Sequence, residues 1–177
     1  MKFCIAIPTY NRLESLKKAI NAIESQVFSS DIELYCVICN TASTDGTHEY
    51  LQQLKSEKIQ YVIHSSLETS IFLNWRKCAD LIPKGIDWVW FHGDDDYLCH
   101  DSAVDFISKI IFEENDQTLT LIHACQKRRC RNTNNIIKGN LLDLCNQIGF
   151  HEILGWMSSL IIKRDKFVSA IKTVSYT

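Results

Sequence analysis

Three consecutive aspartates, Asp94-Asp95-Asp96, follow the apolar run Trp88-Val89-Trp90-Phe91. Carboxylates so close together repel one another, and at the end of a strand they are partly desolvated. A divalent cation relieves both penalties. Mg²⁺ and Mn²⁺ prefer carboxylate oxygens and are held by one or two of them together with substrate phosphates. A solvated acidic turn, with one aspartate capping the next helix, accounts for the triplet alone equally well. The strongly apolar strand before it tips the reading toward a cation, because such a strand aims the carboxylates at a fixed point.

Those aspartates need elements to position them. Residues 3–7, 32–39, 59–64, 87–92 and 119–125 read as strands. Residues 14–25, 47–54, 70–81 and 102–112 carry apolar side chains at helical spacing. Asn11 with Glu14, and Ser102 with Asp105, have the spacing of a helix cap and its reciprocal carboxylate. In the third helix the predicted inward stripe is Ile71, Trp75, Cys78, Ala79 and Ile82. Strand and helix in alternation predict an α/β fold with a mostly parallel sheet covered on both faces. Beyond Cys125 the rhythm weakens: a polar, basic loop over 126–139, a helix over 141–150, a strand over 157–163 and a helix over 165–172.

In such sheets ligands bind beyond the carboxyl ends of the strands. Three polar segments follow strands: Pro8-Thr9-Tyr10-Asn11-Arg12, residues 40–47, and the aspartate triplet. All should converge on one rim. The turn after the first strand has no glycine, which excludes a dinucleotide fingerprint, and no P-loop motif occurs.

Composition sets the remaining bounds. The chain has 177 residues, 46% hydrophobic and 23% charged, enough for one domain with a real core. A net charge of -2 does not advertise nucleic acid as a partner. No apolar run approaches the ~20 residues of a membrane span, and the first eight residues are too short for a secretory signal. The eight cysteines then read as reduced thiols of a cytoplasmic protein. Cys36 and Cys39 have CxxC spacing, but strand alternation sends them to opposite faces as small buried hydrophobes.

The segments Ile7-Pro8-Thr9-Tyr10-Asn11-Arg12, Asn40-Thr41-Ala42-Ser43-Thr44-Asp45-Gly46-Thr47 and Gly93-Asp94-Asp95-Asp96-Tyr97-Leu98 together resemble the ordered motifs of family 2 glycosyltransferases. Asn74-Trp75, Gly155-Trp156-Met157-Ser158-Ser159 and Lys163-Arg164 are similar to one branch of that family. The resemblance covers residues 3–100 closely and 101–170 more loosely. It implies a GT-A fold in a single domain over 1–177, with a donor half at 1–100 and an acceptor half at 101–177. It also implies metal-dependent, inverting sugar transfer from a nucleotide-diphospho-sugar, most commonly a UDP-sugar, to an acceptor hydroxyl.

Site roles carry over from that resemblance. Pro8, Thr9, Tyr10 and Arg12 would line the nucleoside pocket, with Tyr10 against the base and Arg12 on a phosphate. Asn40 replaces the aspartate usual in the family, and Thr41 the usual asparagine; Asn40 still offers a carbonyl acceptor and an amide donor. Ser43 and Asp45 fit the same motif, and Asp45 equally fits a helix start before Gly46. Asp94 and Asp96 would hold Mn²⁺ or Mg²⁺ with Asp95 alongside, Asp96 counting among the catalytic residues. Many relatives are acidic one place earlier, where this chain has Gly93.

The base that deprotonates the acceptor should lie in the second half. Glu152 is the first candidate, with His151, Asp143 and Asp165 behind it, and Trp156 is either a sugar platform or a core residue. Lys127-Arg128-Arg129 with Arg131 is either a solvated loop or a contact for a phosphate-bearing or lipid-linked acceptor, or for the inner face of a membrane. The expected acceptor is a glycan or lipid-linked glycan of a bacterial surface polysaccharide. The chain stops soon after Lys163-Arg164, shorter than typical relatives, which fits either a minimal enzyme or a piece lacking part of the acceptor site. The alternative function is a nucleotide-sugar-binding domain without transfer activity.

Overall fold

A computed structural model describes residues 1–67, 70–114, 121–123, 139–149 and 157–173. Its strands are β1 (Lys2–Thr9), β2 (Glu33–Thr41), β3 (Ile59–Ser66), β4 (Trp88–Phe91), β5 (Leu121–His123) and β6 (Leu160–Lys163). Its α-helices are α1 (Leu13–Glu24), α2 (Thr47–Gln53), α3 (Ile71–Asp80), α4 (Ala103–Glu114), α5 (Leu141–Ile148) and α6 (Arg164–Thr173), and a 3-10 turn, Met157–Ser159, leads into β6.

The strands form one sheet in the order β3-β2-β1-β4-β6-β5. β1 to β4 pair in parallel throughout. β6 runs antiparallel to both β4 and β5. The expected fifth strand therefore sits at the edge, and the last strand inserts beside β4.

β1 is buried from Phe3 to Thr9, because both of its faces are covered. Phe3, Ile5 and Ile7 join Leu34, Cys36 and Ile38 of β2 in one cluster with Leu16, Ile20 and Ile23 of α1 and Val104 and Ile107 of α4. Cys4 and Ala6 join Val37 and Cys39 in the other, with Cys78 and Ala79 of α3 and Phe167 of α6. Cys36 and Cys39 thus fall in opposite layers, as alternation requires. Burial pushes the Cys4 thiol up to about 12, so it behaves as a small hydrophobe.

Two helix starts differ from the local spacing rule. Asn11 does not cap α1. It takes a positive φ of 49°, which asparagine tolerates. Its amide N–H donates to Ser43 Oγ (2.9 Å), while its Oδ1 accepts from Thr44 N–H (2.7 Å). α1 is capped instead by Asp45 Oδ2, which accepts from Leu13 N–H (2.8 Å). Similarly, Gln26 Oε1 accepts from Val104 N–H in the first turn of α4 (3.1 Å).

The inward stripe of α3 also differs. Asn74, Cys78 and Ala79 are buried, whereas Ile71 is 65% exposed and Trp75 37%. The helix is turned so that Asn74 Nδ2 donates to the carbonyl of Thr9 (3.2 Å), and Trp75 packs edge-on against Phe91.

Candidate functional site

Parallel pairing brings the ends of β1, β2 and β4 to one rim: Thr9 lies opposite Asn40, and Ala6 opposite Phe91. The loops that follow are tied to one another by side chains. Thr9 Oγ1 donates to Asp94 Oδ2 (2.9 Å). Arg12 Nη1 donates to Asp94 Oδ1 (3.2 Å) and Asp95 Oδ2 (2.5 Å). Thr41 Oγ1 donates to the Thr9 carbonyl (3.4 Å), the same oxygen that Asn74 bonds. The expected convergence of the three polar segments is therefore present as a bonded network.

The aspartates of this rim have different surroundings. Asp94 is buried, and desolvation raises its pKa above the ordinary carboxylate value. Neighbouring Asp95 adds to the rise, while Thr9, Arg12 and the Tyr10 N–H oppose it. Asp95 and Asp96 are exposed. Asp45 is taken up by main chain: besides Leu13, its Oδ1 accepts from Thr47 N–H (3.2 Å) and Thr47 Oγ1 (2.6 Å). Partial burial pushes Asp45 up, but these hydrogen bonds outweigh it and hold the carboxyl below its usual value. Its geometry is that of a double helix cap. Ser43 is likewise engaged, by Asn11.

Asn40 is 2% exposed and Asn74 4%. Asn40 Nδ2 donates to Ser65 Oγ (3.4 Å). Among the described residues, the side-chain carbonyl oxygens of both are buried without a hydrogen-bond partner. An unpartnered buried acceptor costs about 1–3 kcal/mol, so each of these oxygens calls for a donor beyond the described contacts. Beside them, a cleft of about 330 Å³ runs between the end of β3 and α3, bordered by Thr41, Ser66, Asn74 and Arg76 among others. Pro8 lies within β1 opposite Cys39, and Tyr10 is 48% exposed at the rim.

Gly93 explains how the triplet turns. A Cβ there would lie 3.1 Å from Asp95 Oδ1, 3.1 Å from Asp96 Oδ2 and 3.4 Å from Ser158 Oγ. The missing side chain thus leaves a cradle faced by two carboxylate oxygens. Among the described residues, no group of three or more His, Cys, Asp or Glu side chains is arranged to hold a metal alone. Two carboxylates completed by phosphates is nonetheless the donor set Mg²⁺ and Mn²⁺ favour, so the residues present fit the ion. Asp95 and Asp96 offer those oxygens. Asp94 already accepts one hydrogen bond on each oxygen, from Thr9 and Arg12, and each oxygen keeps a further lone pair.

Sequence reasoning assigned no role to two residues that shape this turn. Ser158 Oγ accepts from Gly93 N–H (2.8 Å) and its carbonyl accepts from the Trp90 indole N–H (2.7 Å), tying the entry to β6 onto β4. His92 is buried, which lowers its pKa, and its Nδ1 lies 2.9 Å from the Gly93 carbonyl, a pairing that suits the neutral Nδ1–H tautomer. Ser158 was visible only as part of the Gly155–Ser159 motif, and His92 as the last residue of a strand-like run.

Of the candidate bases, Asp165 stands at the wrong end of the sheet. Lys163 pairs with Trp88 at the start of β4, whereas the triplet follows its end. Asp143 is exposed on α5 and contacts Asn140, the cap of its own helix. Glu152, His151, Trp156 and the basic cluster at Lys127, Arg128, Arg129 and Arg131 lie outside the described residues. Among the described residues, no helix is long and apolar enough to cross a membrane.

This rim lies at the carboxyl ends of the parallel strands, where ligands bind in open α/β sheets. The chain belongs to glycosyl transferase family 2, whose model matches residues 4–152. It is 27% identical to the abequosyltransferase RfbV of Salmonella typhimurium, over 99% of this chain and 56% of that protein. It is 30% identical to the GalNAc(5)-diNAcBac-PP-undecaprenol beta-1,3-glucosyltransferase of Campylobacter jejuni, over 55% of this chain and 30% of that protein. The fold matches S. aureus TarS 1-349 with a TM-score of 0.70 at 17% identity, covering 96% of this chain and 49% of that one. This chain therefore spans about half the length of these relatives.

Proposed function

We propose that this chain is the donor-binding and catalytic part of a glycosyltransferase. It moves a sugar from a nucleotide-diphospho-sugar, with UDP as the favoured carrier, to a hydroxyl of a glycan or lipid-linked glycan in bacterial surface polysaccharide synthesis. The observation that carries this reading is the bonded rim of Thr9, Arg12 and Asp94 beside the two orphan carbonyls of Asn40 and Asn74. Two similar proteins point the same way by name: an abequosyltransferase and an undecaprenol-linked glucosyltransferase. TarS has been solved with UDP, and a Pyrobaculum calidifontis mannosyltransferase of similar fold with GDP-Man and Mn²⁺.

Each residue then has a role. Asn40 and Asn74 accept hydrogen bonds from the nucleoside, and Tyr10 packs against the base. Arg12 meets the diphosphate. Asp95 and Asp96 hold Mn²⁺ or Mg²⁺, which when bound neutralises charge on the leaving nucleoside diphosphate. Asp94 orients Arg12 through a 3.2 Å ionic contact and fixes the turn through Thr9. Inversion needs a base on the acceptor side, and Glu152 takes that proton.

The test is thermal stabilisation against UDP, GDP, dTDP and CMP, each with and without Mn²⁺. A ligand at ~100 times its dissociation constant adds roughly 2.7 kcal/mol to the folded state. A metal-dependent shift with one nucleotide, lost in Asp95→Ala, supports the donor site; no shift with any of them refutes it. Glu152→Gln should keep the shift and lose transfer. The second reading, a donor-binding domain without transfer activity, draws on Asn40 and Thr41, which stand where the family motif usually has aspartate and asparagine. It predicts binding with no release of nucleoside diphosphate.

A further inference from the structure

Arg12 offers one nitrogen, Nη1, to two carboxylates at once, 3.2 Å from Asp94 and 2.5 Å from Asp95. It is the cation that the described contacts place on the triplet. Its side chain is 51% exposed, so little packing resists its departure. Its backbone, by contrast, is fixed. The Arg12 carbonyl accepts from Leu16 N–H, and the preceding Asn11 is held by Ser43 and Thr44. Asp94 is also held by Thr9, through the oxygen that Arg12 does not touch. The guanidinium can therefore swing away without rearranging the loop or the buried carboxylate.

We infer that Arg12 is an internal counter-ion that fills the aspartate site until a diphosphate draws it off, so that divalent metal binds poorly before nucleotide and well with it. The physical reason is competition. A divalent ion on Asp95 would stand beside the Arg12 guanidinium and would share its carboxylate. A diphosphate offers Arg12 a planar, bidentate alternative. Once Arg12 turns to it, the same phosphate oxygens complete the metal's coordination. Metal and donor then arrive in a set order, and free metal does not lock an empty site. This inference rests on the donor-site reading above.

The test reads metal directly, through the electron paramagnetic resonance signal of free Mn²⁺, with no turnover required. Without nucleotide, Arg12→Gln should bind Mn²⁺ about tenfold tighter than wild type, the scale of removing one nearby charge near a protein surface. Lys17→Gln, which removes a positive charge paired with Glu14, should change affinity by less than about threefold. Arg12→Lys, which keeps the charge, should stay near wild type. With UDP present, wild type should gain Mn²⁺ affinity by a larger factor than Arg12→Gln does. Equal Mn²⁺ affinity in wild type and Arg12→Gln, with binding abolished by Asp95→Asn in both, would overturn the counter-ion role and leave the donor site standing. No Mn²⁺ binding by any form, with or without UDP, would overturn both. Cooperative melting of each variant shows that the comparison is made between folded proteins.

Discussion

Asp45, in the loop after β2, and Asp94, in the loop after β4, lie on the same rim and carry the same functional group. Asp45 spends both oxygens on the starts of two helices and is held below its ordinary pKa. Asp94 is buried against Thr9 and Arg12 and is held above it. One carboxylate is stabilised as a charge by the backbone. The other carries a desolvation penalty that its partners only partly offset. Groups held against their preference are the ones a ligand can exploit, whereas groups already satisfied build the frame.

The sharpest break in this comparison is Asp94→Asn. It keeps an acceptor for Thr9 but removes one of the two carboxylate charges on Arg12, and nucleoside diphosphate release should fall by ~10²–10³. In metal-free buffer near neutral pH the variant should melt no lower than wild type, because the raised pKa means that ionised Asp94 costs stability there. That difference should vanish as pH falls below 3.8, where Asp94 is protonated in both states. A large loss of stability at pH 7 would contradict the assignment.

Asp45→Ala should do the reverse. Each lost helix cap costs about 0.5–2 kcal/mol, so urea unfolding should show a loss of roughly 1–4 kcal/mol. Donor affinity, measured on the folded fraction, should change little. Because the pKa of Asp45 is lowered on folding, its contribution is present above 3.8 and disappears as pH falls through the lowered value. The gap between variant and wild type should close in acid.

Ser158→Ala removes the acceptor for Gly93 N–H and should cost about 1–3 kcal/mol, with weaker Mn²⁺ binding because the turn that aims Asp95 and Asp96 loosens. Gly46→Ala is the mildest. Gly46 has φ of 90°, so an alanine there should cost roughly 1 kcal/mol through backbone strain, without altering metal affinity. Loss of metal binding in that variant would show that the frame and the site are not separable.

How far the sequence revealed these roles depends on the range of the contact concerned. The existence of these strands and the rim they share followed from apolar runs and punctuation, although β1 and β2 each run two residues beyond the expected ends at 7 and 39 and β4 stops at Phe91. So did the opposite placement of Cys36 and Cys39, since alternation is local. The cap of α1 did not follow, because Asp45 lies 32 residues from Leu13 and a spacing rule sees only neighbours. The rotation of α3 was hidden for a similar reason: a polar residue, Asn74, faces inward to bond a distant carbonyl, while Ile71 is left outside. The place of β6 between β4 and β5 could not be read from chain order at all, and neither could the role of Ser158 that depends on it.

That insertion has a consequence for how the chain is made. When the ribosome has released residues through Phe91, β4 has its partner β1 on one side only. Its other edge, strongly apolar and unpaired, must wait for residues 160–163, about 70 positions later. At synthesis rates of roughly 5–20 residues per second, that wait is several seconds. An open apolar strand edge is a template for joining another chain. A nascent chain would therefore be most prone to aggregate in that interval, and a translational pause before residue 160 would lengthen the exposure.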